Sequence, residues 1–185
     1  MVCEVSKMVR VKTQIQNIVL SVIYKDLEFD LEALSKILEG ARYDPEVFPG
    51  IAYKSEKPPA SFLIFASGKM NCVGAKSMSD AKEAIKKLTG KLKRAGINIK
   101  TEPKVKVQNM VASFDFGTKF DLERIARSYE NTEYEPEVFP GLVFRLDDPE
   151  VVVLLFVSGK GVCAGAKSMK DVKRAAKKIT KILAS

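Results

Sequence analysis

The chain has no histidine. That removes Ser-His-Asp and Cys-His nucleophile systems, the H-E-x-x-H zinc helix and histidine proton shuttles, and leaves carboxylate, lysine or cysteine chemistry open. Cysteine is scarce: Cys3, Cys72 and Cys163, an odd count with no C-x-x-C spacing. This argues against a disulfide framework and for a reducing compartment. Long apolar runs are missing too. The longest, Val151 to Val157, has seven residues, against about 20 for a bilayer span. The first ten residues are mixed and charged, unlike a secretory signal. Acidic residues are outnumbered, 23 against 31 Lys and Arg, for a net charge of +8. Such a balance suits a polyanionic partner, and also serves solubility.

What is present is a globular composition, 46% hydrophobic and 29% charged over 185 residues. This excludes wholesale disorder, collagen and coiled coil, and allows one domain or two small ones with a core that needs no staple. Self-comparison then shows a duplication. Tyr43-Asp44-Pro45-Glu46-Val47-Phe48-Pro49-Gly50 returns as Tyr134-Glu135-Pro136-Glu137-Val138-Phe139-Pro140-Gly141. Ser67-Gly68-Lys69 returns as Ser158-Gly159-Lys160, and Gly74-Ala75-Lys76-Ser77-Met78 as Gly165-Ala166-Lys167-Ser168-Met169, all at an offset of 91. Gln16-Asn17 matches Gln108-Asn109 at 92. One residue is therefore lost between the first strand and first helix of the second copy. A long period present twice means a duplicated unit, not a solenoid. The join, around Gly96 to Pro103, is short and not Gly/Ser-rich, so packed rather than tethered halves are expected.

Within one copy, Val11 to Tyr24 is rich in Val and Ile and reads as a strand. Asp30 then caps a helix carrying Leu31, Leu34, Ile37 and Leu38, with Gly40 expected at the C′ position; Asp121 does the same for Leu122, Ile125 and Ala126. Ile51 to Lys54, Ser61 to Ala66 and Met70 to Val73 are short strands, with matching turns at Lys57-Pro58-Pro59 and Asp147-Asp148-Pro149. Last comes an amphipathic helix, capped by Ser79 or Ser77, with the stripe Ala81, Ala84, Ile85, Leu88, Leu92 and Ala95. Its counterpart has Val172, Ala175, Ala176, Ile179, Ile182 and Leu183. Lysines cover the other faces. The pattern is α+β, with helices over one face of an antiparallel sheet. Val151 to Val157 and Phe62 to Ala66 are apolar at every position, so both faces of these strands call for burial. Either a partner covers the second face or two sheets pack together; a partner would make that face the functional surface.

Gln-Asn-hydrophobic-Val, Pro-Glu-Val-Phe-Pro-Gly, Phe-x-Ser-Gly-Lys and Gly-Ala-Lys, each present twice in register, resemble the core of the TATA-box-binding protein family over nearly the whole chain. Pro-Glu-Val-Phe-Pro-Gly in both copies resembles the archaeal type. The resemblance implies a saddle: two repeats, 10–97 and 98–184, forming one curved antiparallel sheet with four helices on the convex face. It implies a general transcription initiation factor whose concave face enters the minor groove of A·T-rich promoter DNA and kinks it, properties for which this family is itself a standard example. Phe48, Phe65, Phe139 and Phe156 would be the wedges; the Val-Phe-Pro-Gly turns suit a core role poorly. Asn17 and Asn109 would meet base edges, and Val19, Val111, Leu63, Leu154 and Val162 the groove floor. An apolar floor leaves the guanine amino group unpaired and so favours A·T. Lys54, Ser67, Lys69, Lys76, Arg145, Ser158, Lys160 and Lys167 would contact phosphates. Six neutralised phosphates give a log–log salt slope of roughly −5. Glu135, Glu137 and Val138 resemble the turn that docks transcription factor B, leading to the RNA polymerase pre-initiation complex. No cofactor and no membrane are implied. The location would be cytoplasmic, with the nucleoid, and the free protein could pair through its apolar face. The family usually has Thr before each Gly-Ala-Lys; Val73 and Ala164 stand there, and Asn71 occupies a usually apolar groove position.

Two rivals are weighed. A phosphate-binding loop in Ser67-Gly68-Lys69 through Ser77 fails, because five residues separate the glycines and Ala75 intervenes before Lys76. Glu46 and Glu137 sit in exposed turns, and Cys72 and Cys163 lie in apolar strands, so no enzyme is expected. A saddle module that binds partners or DNA without TATA-specific bending is the second; the four phenylalanines and two asparagines speak against it.

Overall fold

Thirteen elements follow from this pattern in the computed structural model, which describes residues 11–184, with side chains through Ile182. The readings of residues 1–10, Cys3 among them, and of the Leu183 side chain fall outside these. In the first copy β1 is Lys12–Ile23, α1 Leu31–Ile37, β2 Gly50–Ser55, β3 Ala60–Phe65, β4 Lys69–Ala75 and α2 Met78–Arg94. In the second, β5 is Lys104–Asp115, α3 Leu122–Ser128, β6 Thr132–Glu133, β7 Leu142–Asp147, β8 Glu150–Leu155, β9 Lys160–Ala166 and α4 Met169–Ala184. The missing residue is where the offsets put it: 24–30 joins β1 to α1, whereas the shorter 116–121 joins β5 to α3.

The chain divides into two units, Gln16–Asn109 and 110–184 with 11–15. In the first the strand order is β2-β3-β4-β1-β5; in the second it is β1-β5-β9-β8-β7-β6, so β1 and β5 give residues to both.

Each helix starts on a side-chain acceptor. Asp30 and Asp121 accept from the N–H groups of Ala33 and Arg124, both at 3.0 Å, and Ser77, not Ser79, accepts from Asp80 N–H. These satisfy donors that the first turn leaves unpaired. Gly40 is not at C′: α1 ends one residue early with Leu38 as its C-cap, and Gly40, at φ +78°, turns the chain two residues later.

Burial alternates residue by residue along β3 and β8. In β8, Val151, Val153 and Leu155 are buried, while Val152 and Leu154, with Phe156 beyond, are half-exposed. The expectation of burial on both faces is thus corrected. One face carries the core; the other is apolar but open, and Val157 lies beyond the strand, 51% exposed. In the first unit Leu20, Val22, Phe62, Ile64, Met70 and Cys72 form the sheet side of the core, under Ala81, Ile85, Leu88 and Leu92 of α2. In the second, Ala112, Phe114, Phe144, Val153 and Cys163 lie under Val172, Ala175 and Ile179 of α4. Thr89, polar yet buried in the α2 stripe, donates to Ile85 C=O at 2.8 Å, so the Tyr24 hydroxyl 2.6 Å away must be the donor to it. Burial pushes the Tyr24 phenol up, which keeps that proton in place.

Candidate nucleic-acid interface

The open face of each unit is built by period-two alternation. In the first unit it presents Asn17, Val19, Leu63, Asn71 and Val73, all half-buried. In the second it presents Val111, Leu154, Val162 and Ala164 likewise, and Asn109 is half-buried on β5. An apolar face at this exposure is held ready for contact.

A bulge shapes each face. On β1 Ile18 pairs with Ala75 and Leu20 with Cys72, so one extra residue of β4 sits between them; Met110 with Ala166 and Ala112 with Cys163 repeat this. Gly74 and Gly165 take the extra position at φ +91° and +97°, a conformation that L side chains avoid. Asn17 Oδ1 accepts the Gly74 N–H at 2.8 Å. A backbone N–H only donates, so the amide oxygen of Asn17 is occupied and its NH₂ group is what the open face is offered. Val73 and Ala164 stand at the same bulges and bring no hydroxyl.

The four phenylalanines form two pairs. Phe48 and Phe65 have centroids 5.8 Å apart at 60°, and Phe139 and Phe156 6.0 Å apart at 70°, within the range of favourable tilted and edge contacts. In each pair one ring comes from the end of β3 or β8 and the other from the preceding Pro-Gly turn. The turns are tight: Phe48 N–H reaches Asp44 C=O and Phe139 N–H reaches Glu135 C=O, both 2.9 Å. Phe139 is 38% exposed although aromatic. Two residues that sequence reasoning missed seat these rings. A Cβ at Gly141 would lie 2.6 Å from Phe139 Cε1 and 2.9 Å from Phe156 Cε1; one at Gly50 would lie 2.9 Å from Phe48 Cε1 and 2.9 Å from the Ile64 carbonyl oxygen. The signal was the Pro-Gly recurring in register.

Directly after the β3 and β8 rings, Phe65-Ala66-Ser67-Gly68 and Phe156-Val157-Ser158-Gly159 close β-turns through Gly68 N–H to Phe65 C=O, 3.2 Å, and Gly159 N–H to Phe156 C=O, 2.9 Å. Gly is required there, since an added Cβ would come within 2.1 Å of Leu27 O or 1.8 Å of Thr118 O. The turns put exposed Ser67, Lys69, Ser158 and Lys160 beside the paired rings. Lys76 and Lys167, also exposed, stand at the other ends of β4 and β9, about 20 Å along each strand. Lys54 on β2 is exposed; Arg145, its counterpart on β7, is held by Glu133, with Nη2 3.2 Å from Oε1 and 3.3 Å from Oε2.

At the outer turns Val47 and Val138 are each 81% exposed, and Glu135 and Glu137 are exposed beside Val138. The cysteines face inward. Burial pushes the Cys72 and Cys163 thiols up to about 11, which suits packing and not nucleophilic attack. Among the described residues no cluster of His, Cys, Asp and Glu could hold a metal, and no helix is long and apolar enough to cross a membrane.

These features occur twice, once in each copy, and comparison with known proteins places the chain in a class of transcription factors. The family described as "Transcription factor TFIID (or TATA-binding protein, TBP)" matches residues 12–95 and again 104–185. The chain belongs to the TATA-binding protein family, a family of transcription factors and not of enzymes. It is 52% identical over 173 residues to the TATA-box-binding protein of Methanocaldococcus jannaschii, covering 94% of each chain. The Archaeoglobus fulgidus TATA-box-binding protein is 45% identical over 174 residues, covering 93% of this chain and 94% of the relative. A solved structure, Methanococcus jannaschii TBP, superimposes with a TM-score of 0.86 at 52% identity, covering 92% of this chain and 97% of the other. The α+β fold of this family, expected from the resemblance, is therefore the one observed.

Proposed function

We propose that the protein is a general transcription initiation factor that binds A·T-rich promoter DNA in the minor groove, with each half (expected as 10–97 and 98–184) taking part of the site. The observation that carries this is the doubled open face: a half-buried floor of Val and Leu, bordered by a phenylalanine pair and exposed cations. Phe48 with Phe65 and Phe139 with Phe156 act as wedges at the two ends of the site. A paired ring is rigid and flat, as entry into an unstacked base step requires, and unstacking costs about a few kcal/mol per step. The engaged oxygen of Asn17 leaves N–H donors for adenine N3 and thymine O2, the acceptors common to both A·T orientations. Val19, Val111, Leu63, Leu154 and Val162 offer no acceptor to the guanine amino group, so G·C is disfavoured there. With Val73 and Ala164 at the bulges, the centre of the site is recognised by shape and apolar contact. Asn109 meets base edges in the second half. Lys54, Ser67, Lys69, Lys76, Ser158, Lys160 and Lys167 hold phosphates, and Arg145, shared with Glu133, does so more weakly.

Glu135, Glu137 and Val138 dock transcription factor B, which brings in the polymerase; an apolar knob flanked by carboxylates suits a partner surface with an apolar socket and basic rim. The setting is the nucleoid of a prokaryotic cytoplasm. Without DNA, the open face favours self-association. The test is base substitution in a short duplex. Replacing A·T pairs by inosine·C should preserve binding, and replacing them by G·C, which differs in the minor groove only by the guanine amino group, should abolish it. Equal loss on both would overturn the minor-groove reading.

A further inference from the structure

Superimposing one copy on the other by register isolates charge differences on the open face. Arg42 forms an isolated bridge with Ala52, and both are exposed beside Lys54. In the second copy the equivalent of Arg42 is Glu133, paired with Val143 and ion-paired to Arg145. Ala52 lies opposite Leu63 and Val143 opposite Leu154, so Arg42 and Glu133 both project beside the groove floor. One copy thus has two free-standing cations at this edge, the other a neutralised pair. A second difference has the same sign: Ile23 lies opposite Lys69, but Asp115 lies opposite Lys160.

We propose that the two units grip DNA phosphates unequally, the Gln16–Asn109 unit the more strongly, and that this difference sets the orientation of the protein on its site. The proposal rests on the minor-groove reading above. Physically, each phosphate neutralised releases counterions, whereas a carboxylate at the same position repels the backbone and occupies the neighbouring guanidinium. A site whose two ends differ in phosphate potential is then bound in one direction more than the other. The asymmetry lies at two register-matched positions and spares the wedges and the floor, so it biases direction without changing which bases are accepted.

The experiment measures affinity against salt on a symmetric A·T duplex. Arg42→Glu should make the log–log slope shallower by about 1, and Glu133→Arg should make it steeper by about 1. Glu123→Arg is the control: it makes the same charge change on α3, where Glu123 pairs with Arg127, and should leave the slope in place. Orientation is then read by energy transfer from a dye at Lys177→Cys, in a Cys3→Ser background, to one end of a duplex whose phosphates at that end are methylphosphonates. The parent should turn its 110–184 unit to the neutralised end, and Arg42→Glu with Glu133→Arg should reverse this. Equal slopes for Glu133→Arg and Glu123→Arg, or an orientation unmoved by the swap, would overturn the inference while A·T preference stands. Loss of A·T preference in the parent would instead bring down the functional reading and this inference with it.

Discussion

Gly141→Ala separates the geometry of the wedges from the stability of the fold. The residue is buried, and its φ lies outside the left-handed region, so alanine fits the backbone. That alone should stabilise by about 0.4–1 kcal/mol, because the unfolded chain loses freedom. Against this, the new methyl group would stand 2.6 Å from Phe139 Cε1 and 2.9 Å from Phe156 Cε1. Both are ring edges on the open face, so the rings move aside, at about 0.5–1.5 kcal/mol for an off-rotamer side chain. With two rings displaced the cost exceeds the gain by at most about 2–3 kcal/mol, and Tm should fall by less than about 10 °C. DNA binding has no such compensation. A displaced pair no longer fits one unstacked step, and affinity for an A·T site should fall at least tenfold, about 1.4 kcal/mol. Gly50→Ala is the contrasting case: its methyl meets the Ile64 carbonyl oxygen at 2.9 Å as well as Phe48, and backbone in a paired strand does not move aside. It should lose both binding and Tm. Thermal melts with fluorescence-anisotropy titration test both variants. Full affinity in Gly141→Ala at unchanged Tm would refute the assignment of Phe139 and Phe156 as a wedge seated by Gly141.

Three further outcomes are expected. Cys72 and Cys163 should stay unmodified by a thiol reagent at pH 8 and react only on denaturation, since burial raises both thiols to about 11; mass spectrometry showing either modified in the folded protein would contradict the buried placement. Asp171, whose carboxylate accepts from Ser168 Oγ at 2.7 Å and from Lys167 N–H, has its pKa lowered chiefly by the Ser168 hydrogen bond. Its contribution is therefore present above the ordinary value of 3.8 and lost as pH falls through the lower folded value; Asp171→Asn should reduce the acid dependence of Tm below pH 4, and an unchanged pH profile would sink the linkage. Val138→Asp should leave DNA affinity unchanged and weaken transcription factor B recruitment at least tenfold in a supershift titration, with unaltered recruitment counting against docking at that turn.

Much of this molecule was legible because it is written twice. The 91-residue offset tied Pro-Glu-Val-Phe-Pro-Gly to a repeated turn, and the shift to 92 at Gln108-Asn109 located the shorter 116–121 connection. Helix starts were readable because Asp30 and Asp121 act locally, within three residues. The fate of Val151 to Val157 was not, since a run apolar on both faces looks the same whether its second face meets protein or waits for a ligand. The bulges escaped for another reason: the Gly74 conformation depends on pairing with β1 and on Asn17, 57 residues away. Nor could Thr89 be placed, because its stripe position calls for an apolar residue; its donor finds Ile85 C=O locally, but the donor to its oxygen is Tyr24, 65 residues distant. The seating role of Gly50 and Gly141 needs ring positions that only tertiary structure supplies.

The central claim is that two paired-ring wedges bend A·T-rich duplex DNA. Energy transfer across a short duplex labelled at both ends, carrying a TATA-like site, tests it most directly, with a G·C-substituted control and with Phe156→Ala and Phe65→Ala. The account predicts a large end-to-end shortening on the A·T duplex alone, reduced by either substitution. Equal binding to both duplexes, each left straight, would contradict it.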